Sequence, residues 1–318
     1  MTFSPRIAEI GDGYAVRYCG YLFAQLGASV TRRRGDASAT RHAQAAAVFL
    51  DRGKTLLDAT PDLAQADVLL TDEEVDTTAF PGLVLVRTCL FGTRGGYAGL
   101  TGTETEAFAL SGLMSMIGER GREPLRIGGS QPELATGLSM FSAAMMGLFR
   151  RSGSGQGASV AVSVVRTGAY LDWKSQIYYA AEGKVLQRGS KSGPVILTCA
   201  DGFVGFYYRD EEWPAVRKLM ADPRLEDECF ATQVLRDRNR EDLVSIMNEW
   251  SGRLTRDEVY QRSQALHIPA GSVLDLDELA ESPQARARQF ITREDVQGLG
   301  TVSYPVAPWT VDGLRGGR

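Results

Sequence analysis

The stretch from Pro124 to Gly157, PLRIGGSQPELATGLSMFSAAMMGLFRRSGSGQG, carries one carboxylate, Glu133, just before a long apolar run. Two roles suit a carboxylate there. In a first helical turn it is favoured by the positive end of the helix dipole and needs no further duty. The same place also suits a nucleophile, because helix-end N–H groups can hold an anion or a developing oxyanion. Spacing alone leaves both open.

Other residue types invite comparison. Arg32, Arg33 and Arg34 end a β-type run, and ligands of parallel sheets sit at such carboxyl edges; a solvated surface turn is the alternative. Tyr14 and Arg17 follow the first apolar run, where packing or ligand contact is equally consistent. DRGK (51–54) lacks the glycine spacing of a phosphate loop, and SGSGQG (152–157) does not lie between a strand and a helix. His42 and His267 are the only histidines, which disfavours a histidine-based triad or metal site, and His267 reads as a turn residue.

Composition narrows the field. The 318 residues are 43% apolar and 23% charged, with a net charge of −4. That is the make-up of a globular chain with room for a sizeable core, and it argues against a general nucleic-acid binder. The four cysteines, Cys19, Cys89, Cys199 and Cys229, are dispersed without metal-ligand spacing and suit a reducing compartment. No apolar run reaches spanning length, and MTFSPRIAEIGDG lacks a signal-peptide core. A cytoplasmic protein without metal, membrane or nucleic-acid partner is expected.

The elements that must position these residues follow from periodicity. A strand over 6–11, a helix over 14–28 stopped by Gly27, and a strand over 29–34 form a strand–helix–strand unit, the building block of parallel sheets. Residues 46–59 read as strand–turn–strand, and 66–72 and 83–92 as buried strands. Residues 106–118 read as one helix, 133–153 as the longest helix, 157–165 as a strand, and 166–184 as a further helix. Beyond a Gly/Ser/Lys-rich loop the texture changes to a hairpin around Asp201–Gly202 and charged helices at 210–221, 239–253, 255–267 and 282–290. This predicts an α/β protein. A large domain over 1–192 has a mainly parallel, Rossmann-like sheet flanked by helices. A smaller α+β domain covers 193–299, and 300–318 returns to the large domain.

Taken together these segments resemble the family III CoA-transferases, which include carnitine and formyl-CoA transferases and 2-methylacyl-CoA racemases. RIAEIG…AVRYCGYLFAQLGASV (6–30) is similar to the family's opening strand, turn and helix. FLDRGKTLLD (49–58) resembles its L-N-R-G-K-R-S-I-x-L-D, ADVLL (66–70) its A-D-V-L-V, and FGTRGGY (91–97) its F-G-x-x-G-P-Y. LSGLMSMIG (110–118) matches x-S-G-L-M-x-x-T-G, and residues 124–165 match P-x-R-x-G…D-x-x-x-G…G-x-G-Q-x-V-D-V-S. DPRLED (222–227), HIPAGSV (267–273) and SPQARARQF (282–290) resemble the smaller domain's motifs. Each is loose; their number and order carry the resemblance.

The resemblance implies transfer of CoA between carboxylic acids through a carboxylate nucleophile at the start of the long helix. Glu133 takes the place of the family's aspartate by its spacing to Thr136–Gly137. It further implies acyl-CoA and a small carboxylic acid as substrates and CoA contacts at Tyr14, Ala15, Arg33 and Arg34. Arg17 is an added candidate for a phosphate or carboxylate grip. A homodimer, interlocked as in the family, or a heterodimer with a paralogue is implied as well. Four of the chain's departures from the pattern bear on the site, and Ser115, in the place of the racemases' histidine, argues against a two-base racemase. Glutamate replaces aspartate, and Ala15, Val16 and Arg17 stand for the small A-G-P. The segment between Asp58 and Ala66 is short, and TDEEVD (71–76) replaces E-N-F-R-P-G. These departures motivate two alternatives: a non-catalytic CoA-binding or partner subunit, and an acyl-CoA or acyl-carrier isomerase or lyase on the same scaffold.

Overall fold

The computed structural model describes residues 4–34, 41–119, 121–188 and 194–309, with the side chains of 41–43 outside that description. Residues up to 188 together with those from 288 onward form one compact unit, and 189–287 form a second. The expected boundary at 192/193 falls outside the described residues.

The first unit is an α/β fold. Its strands are β1 (Arg6–Ile10), β2 (Ser29–Arg33), β3 (Thr55–Leu57), β4 (Val68–Thr71), β5 (Val84–Cys89) and β6 (Ala158–Ser163). They form one six-stranded sheet in the order β3-β2-β1-β4-β5-β6, and every pairing is parallel. That is the doubly wound order in which ligands bind beyond the carboxyl ends of the strands. The helices are α1 (Tyr14–Gln25), α2 (Arg41–Leu50), α3 (Glu104–Leu110), α4 (Gln131–Ser154), α5 (Val164–Leu171) and α6 (Trp173–Glu182). Strands buried on both faces read as continuous apolar runs, and β4 is buried throughout. Val16, Cys19 and Phe23 of α1 and Met140, Ala144 and Leu148 of α4 pack with Val68, Leu70, Val84 and Val86 into one core.

Three expected elements come out differently. Residues 46–50 belong to α2, so only 55–57 are strand in the 46–59 segment; a short apolar run such as AAVFL fits a helix face and a strand equally well. The 106–118 helix breaks at Gly112, whose φ of +86° is left-handed, and resumes as a short 3₁₀ turn. The 166–184 helix breaks at Asp172 into α5 and α6. The link from β3 to β4 holds only a three-residue 3₁₀ turn at Leu63–Gln65.

The second unit has a three-stranded antiparallel sheet of β7 (Val195–Cys199), β8 (Gly202–Phe206) and β9 (Ala270–Ser272). Around it lie α7 (Trp213–Met220), α8 (Gln233–Arg238), α9 (Arg240–Ser251), α10 (Arg256–Gln264), α11 (Leu276–Glu281) and α12 (Pro283–Arg288). Leu197, Phe206, Trp213, Val216 and Met247 are in its core. The chain then forms an antiparallel pair, β10 (Ile291–Val296) with β11 (Gly300–Pro305). Tyr304 there faces the Phe49 ring, and Arg52 sits 4.7 Å over the Tyr304 ring, both contacts within the first unit.

Candidate active site

Two helix starts meet at the carboxyl edge of the sheet. α1 begins at Tyr14 behind the turn Gly11–Gly13, and α4 begins at Gln131 behind Gly128–Ser130. The first turn is folded around Asp72, at the end of β4. The Asp72 carboxylate accepts the Gly13 N–H at 2.9 Å. A Cβ at Gly11 or Gly13 would collide with that carboxylate, so the small residues there follow from its position. The second turn is left-handed at two successive residues, Gly129 (φ +75°) and Ser130 (φ +53°). For a non-glycine residue that conformation is uncommon, and it aims the start of α4 at α1.

The two helices cross closely because Gly137 has no side chain. A Cβ there would lie 2.7 Å from the Ala15 carbonyl oxygen and 3.2 Å from Tyr18. This approach brings the Glu133 carboxyl near the backbone N–H of Tyr14, whose dipole favours its charged form. Glu133 is half-buried and lines an open cavity of about 350 Å³ with Asp12, Gly13, Tyr14, Thr103, Glu104, Thr105, Arg126 and Ser130. Burial pushes its carboxyl above the usual carboxylate range. The neighbouring charges of Glu104 and Asp72 push the same way, and the Tyr14 N–H opposes them.

Glu104, the first residue of α3, was not singled out from the sequence. Its Oε1 accepts the backbone N–H of Glu133 at 3.2 Å, and its Oε2 receives the Arg126 guanidinium at 3.1 Å. An E-T-E run reads as ordinary helix-start charge. Its only distinguishing signal is that Thr103 and Glu106 already supply a capping box there, which leaves Glu104 without local work.

The arginines separate by environment. Arg17 is buried and bidentate on Asp51, with Nη2–Oδ2 at 2.8 Å and Nε–Oδ1 at 3.2 Å. It does not line the Glu133 cavity. Arg32 is buried between Glu9 (2.6 Å) and Asp12 (2.6 Å). Lys54, the lysine of DRGK, is wholly buried, donating to Glu9 at 2.6 Å and to the Arg17 carbonyl at 2.7 Å. Burial drives Glu9 up and Lys54 down, and their contact with each other opposes both shifts. Arg33 and Arg34 are exposed at the carboxyl edge beside Glu73 (3.4 Å) and Asp58 (3.2 Å). Ala15 is buried under α4, presenting backbone rather than side chain.

A second cavity of about 350 Å³ lies past the end of β5, among Glu74, Arg87, Cys89, Phe91 and Tyr97. Among the described residues no cluster of three or more His, Cys, Asp or Glu could hold a metal ion, and no helix is long and apolar enough to cross a membrane.

Comparison with known proteins agrees with this architecture. The family model described as CoA-transferase family III matches residues 56–318. The mouse succinyl-CoA:glutarate CoA-transferase is 24% identical over 240 residues, covering 73% of this chain and 55% of the relative. The alpha subunit of a Chloroflexus aurantiacus succinyl-CoA–L-malate CoA-transferase is 24% identical over 349 residues, covering 94% and 80%. A CAIB/BAIF family protein from Brucella suis superposes with a TM-score of 0.84 at 22% identity, covering 96% of this chain and 91% of that one. The chain belongs to CoA-transferase family III. It spans just over half the length of the mouse relative.

Proposed function

We propose that this protein moves CoA between small carboxylic acids, with Glu133 as the carboxylate that accepts the acyl group. The observation that carries the reading is the position of Glu133: in the first turn of the longest helix, beside the start of α1, and open to a cavity lined mostly by polar residues. Its raised proton affinity suits the role, because a more basic carboxylate is the better nucleophile.

The steps follow from that placement. One Glu133 oxygen attacks the thioester carbonyl of an acyl-CoA, and collapse of the adduct breaks the carbon–sulfur bond. This leaves a mixed anhydride and the CoA thiolate. The thiolate attacks the glutamyl carbonyl, giving a glutamyl-CoA thioester and releasing the first acid as its carboxylate. The second acid's carboxylate attacks that thioester, forming a new mixed anhydride and freeing the thiolate. The thiolate takes the new acyl group and restores the Glu133 carboxylate. No net proton or redox change occurs. Each step is acyl transfer between groups of similar reactivity, so one difficult exchange becomes several easier ones.

The residues lining the cavity are mostly polar, which supports small polar acids as substrates, and the relatives are named for succinyl-CoA with glutarate or L-malate. Arg33 and Arg34, exposed at the sheet's carboxyl edge, are assigned to CoA phosphates; Tyr14 and Ala15 supply the backbone beside the thioester. Arg17 is assigned to the fold rather than to the ligand, because Asp51 holds it. The test is to incubate the protein with succinyl-CoA, trap with hydroxylamine or borohydride, and map the peptide containing Glu133 by mass. An adduct there supports the reading. No adduct, with activity unchanged in Glu133→Ala, sinks it.

Assembly as a homodimer is part of the proposal. α4, α5 and α6 expose Phe149 (83%), Tyr170 (78%), Met146 (66%), Ile177 (58%) and Trp173 (50%), and large exposed apolar side chains of this kind support an interface. The Chloroflexus relative is named an alpha subunit, so light scattering of the protein alone decides the point. A monomer that gains activity only with a paralogue would turn the assignment to the heterodimer.

A further inference from the structure

Three donors beside the Glu133 cavity are held by carboxylates of the protein itself. Gly13 N–H is on Asp72, and Glu133 N–H and Arg126 are both on Glu104. Glu104 is the member whose two oxygens serve two different segments. Its side chain is only 10% exposed, whereas Arg126 is 51% exposed. Pro132 has no N–H, and the Leu134 N–H already closes onto the Ser130 carbonyl. The Glu133 N–H is thus a first-turn donor that no intrahelical acceptor can satisfy, and α4 has no side-chain cap from Ser130.

We propose that Glu104 is a positioning residue for Glu133: a carboxylate on α3 ties the first turn of α4 to Arg126, and so fixes where the Glu133 carboxyl stands. The chemistry gives the tie a second consequence. The charged groups facing Glu133 are Asp72 from the end of β4, Asp12 from the β1–α1 turn, Glu104 from α3, and Arg126 from the segment before α4. Of these, Glu104 stands among the largest influences on its proton affinity, and Arg126 is the one cation among the described residues lining the cavity. Removing Glu104's charge makes Glu133 easier to ionise; removing Arg126 leaves Glu104 uncompensated and makes Glu133 harder to ionise. Two variants of one ion pair should therefore move the same neighbour in opposite directions. A purely structural cap would not do this.

This inference rests on the CoA-transfer reading for its purpose but not for its measurement. The experiment is a carboxyl ¹³C NMR titration of glutamate-labelled full-length protein, with the Glu133 signal assigned by its loss in Glu133→Gln, run on wild type, Glu104→Gln and Arg126→Gln. The Glu133 midpoint is expected to fall by about half to one pH unit in Glu104→Gln and to rise in Arg126→Gln. The acid limb of the succinyl-CoA transfer rate should follow each midpoint. Midpoints that stay put, or move together, overturn the proposal. Should Glu104→Gln fail to fold, Arg126→Gln decides alone: an upward shift supports the tie and an unchanged midpoint overturns it. Absence of a Glu133 adduct in wild type counts against the CoA-transfer reading and leaves the titration result standing.

Discussion

A Cβ placed on Gly137 would lie 2.7 Å from the carbonyl oxygen of Ala15. The start of α4 reaches the start of α1 because that atom is missing, and this close approach sets Glu133 near the Tyr14 N–H. Gly137→Ala should separate the helices. Overpacking of this kind costs about 1–3 kcal/mol. Thermal melts should show the loss, with a larger proportional fall in transfer rate than in CoA affinity. A variant as stable and as active as wild type would contradict the account.

Glu133 carries a pH signature. Its carboxyl titrates above the usual value in the folded protein, through burial first and Glu104 second. A raised carboxyl contributes stability below the unfolded value of about 4.3, and that contribution is lost as pH rises through the folded value. Glu133→Gln should therefore be more stable than wild type at neutral pH, with the difference disappearing below about pH 4. Transfer should be abolished in that variant. In wild type, the rate should fall as pH drops through the raised value. Urea melts at several pH values check the first point, and rate profiles the second.

The buried set Glu9, Arg32 and Lys54 is predicted to be sensitive to removal of one member. Lys54→Met strips Glu9 of a partner at 2.6 Å inside the fold. Breaking a buried pair from one side typically costs about 3–5 kcal/mol. The double variant Glu9→Gln/Lys54→Met should recover part of the loss. Denaturation midpoints measure both, and a single variant indistinguishable from wild type would refute the structural role.

The arginines should divide by assay. Arg33→Ala with Arg34→Ala should weaken CoA binding several-fold, since charge-assisted phosphate contacts are each worth roughly 1.5–3 kcal/mol at most and exposed ones less, while the melting temperature stays within a degree or two of wild type. Arg17→Ala should do the reverse, because it removes the nearest partner of Asp51 and leaves only the longer contacts to Arg32 (3.6 Å) and Lys54 (4.0 Å). Calorimetry with CoA beside thermal melts separates the two; weakened CoA binding in Arg17→Ala at unchanged stability would return Arg17 to the ligand site.

Much of the sheet was legible because parallel strands write themselves as apolar β-branched runs, as in VLL and VLV, and α4 was legible from its length. Elements failed where a local pattern had two solutions. AAVFL satisfies a helix face and a strand alike, and the breaks at Gly112 and Asp172 interrupt runs whose periodicity continues on either side. Within the site, Glu133 stood out by its place before a helix. Arg17 was visible as a cation, but its partner Asp51 lies 34 residues away, and no spacing rule joins them. Glu104 was hidden for the same reason, its partners lying at 126 and 133.

Glu9 and Arg32 are also register partners across the parallel strands β1 and β2. Apolar neighbours on two buried strands would tolerate a slipped alignment, since one branched side chain packs much like the next. A charge locked to its opposite cannot slip without leaving both stranded away from water. The pair thus acts as an alignment key. It fixes which residue of β2 ends beside which residue of β1, and so whether Arg33 and Arg34 emerge at the edge where the Asp12–Tyr14 turn opens. In that sense the chain uses electrostatics to choose one strand alignment, and with it the edge at which Arg33 and Arg34 stand.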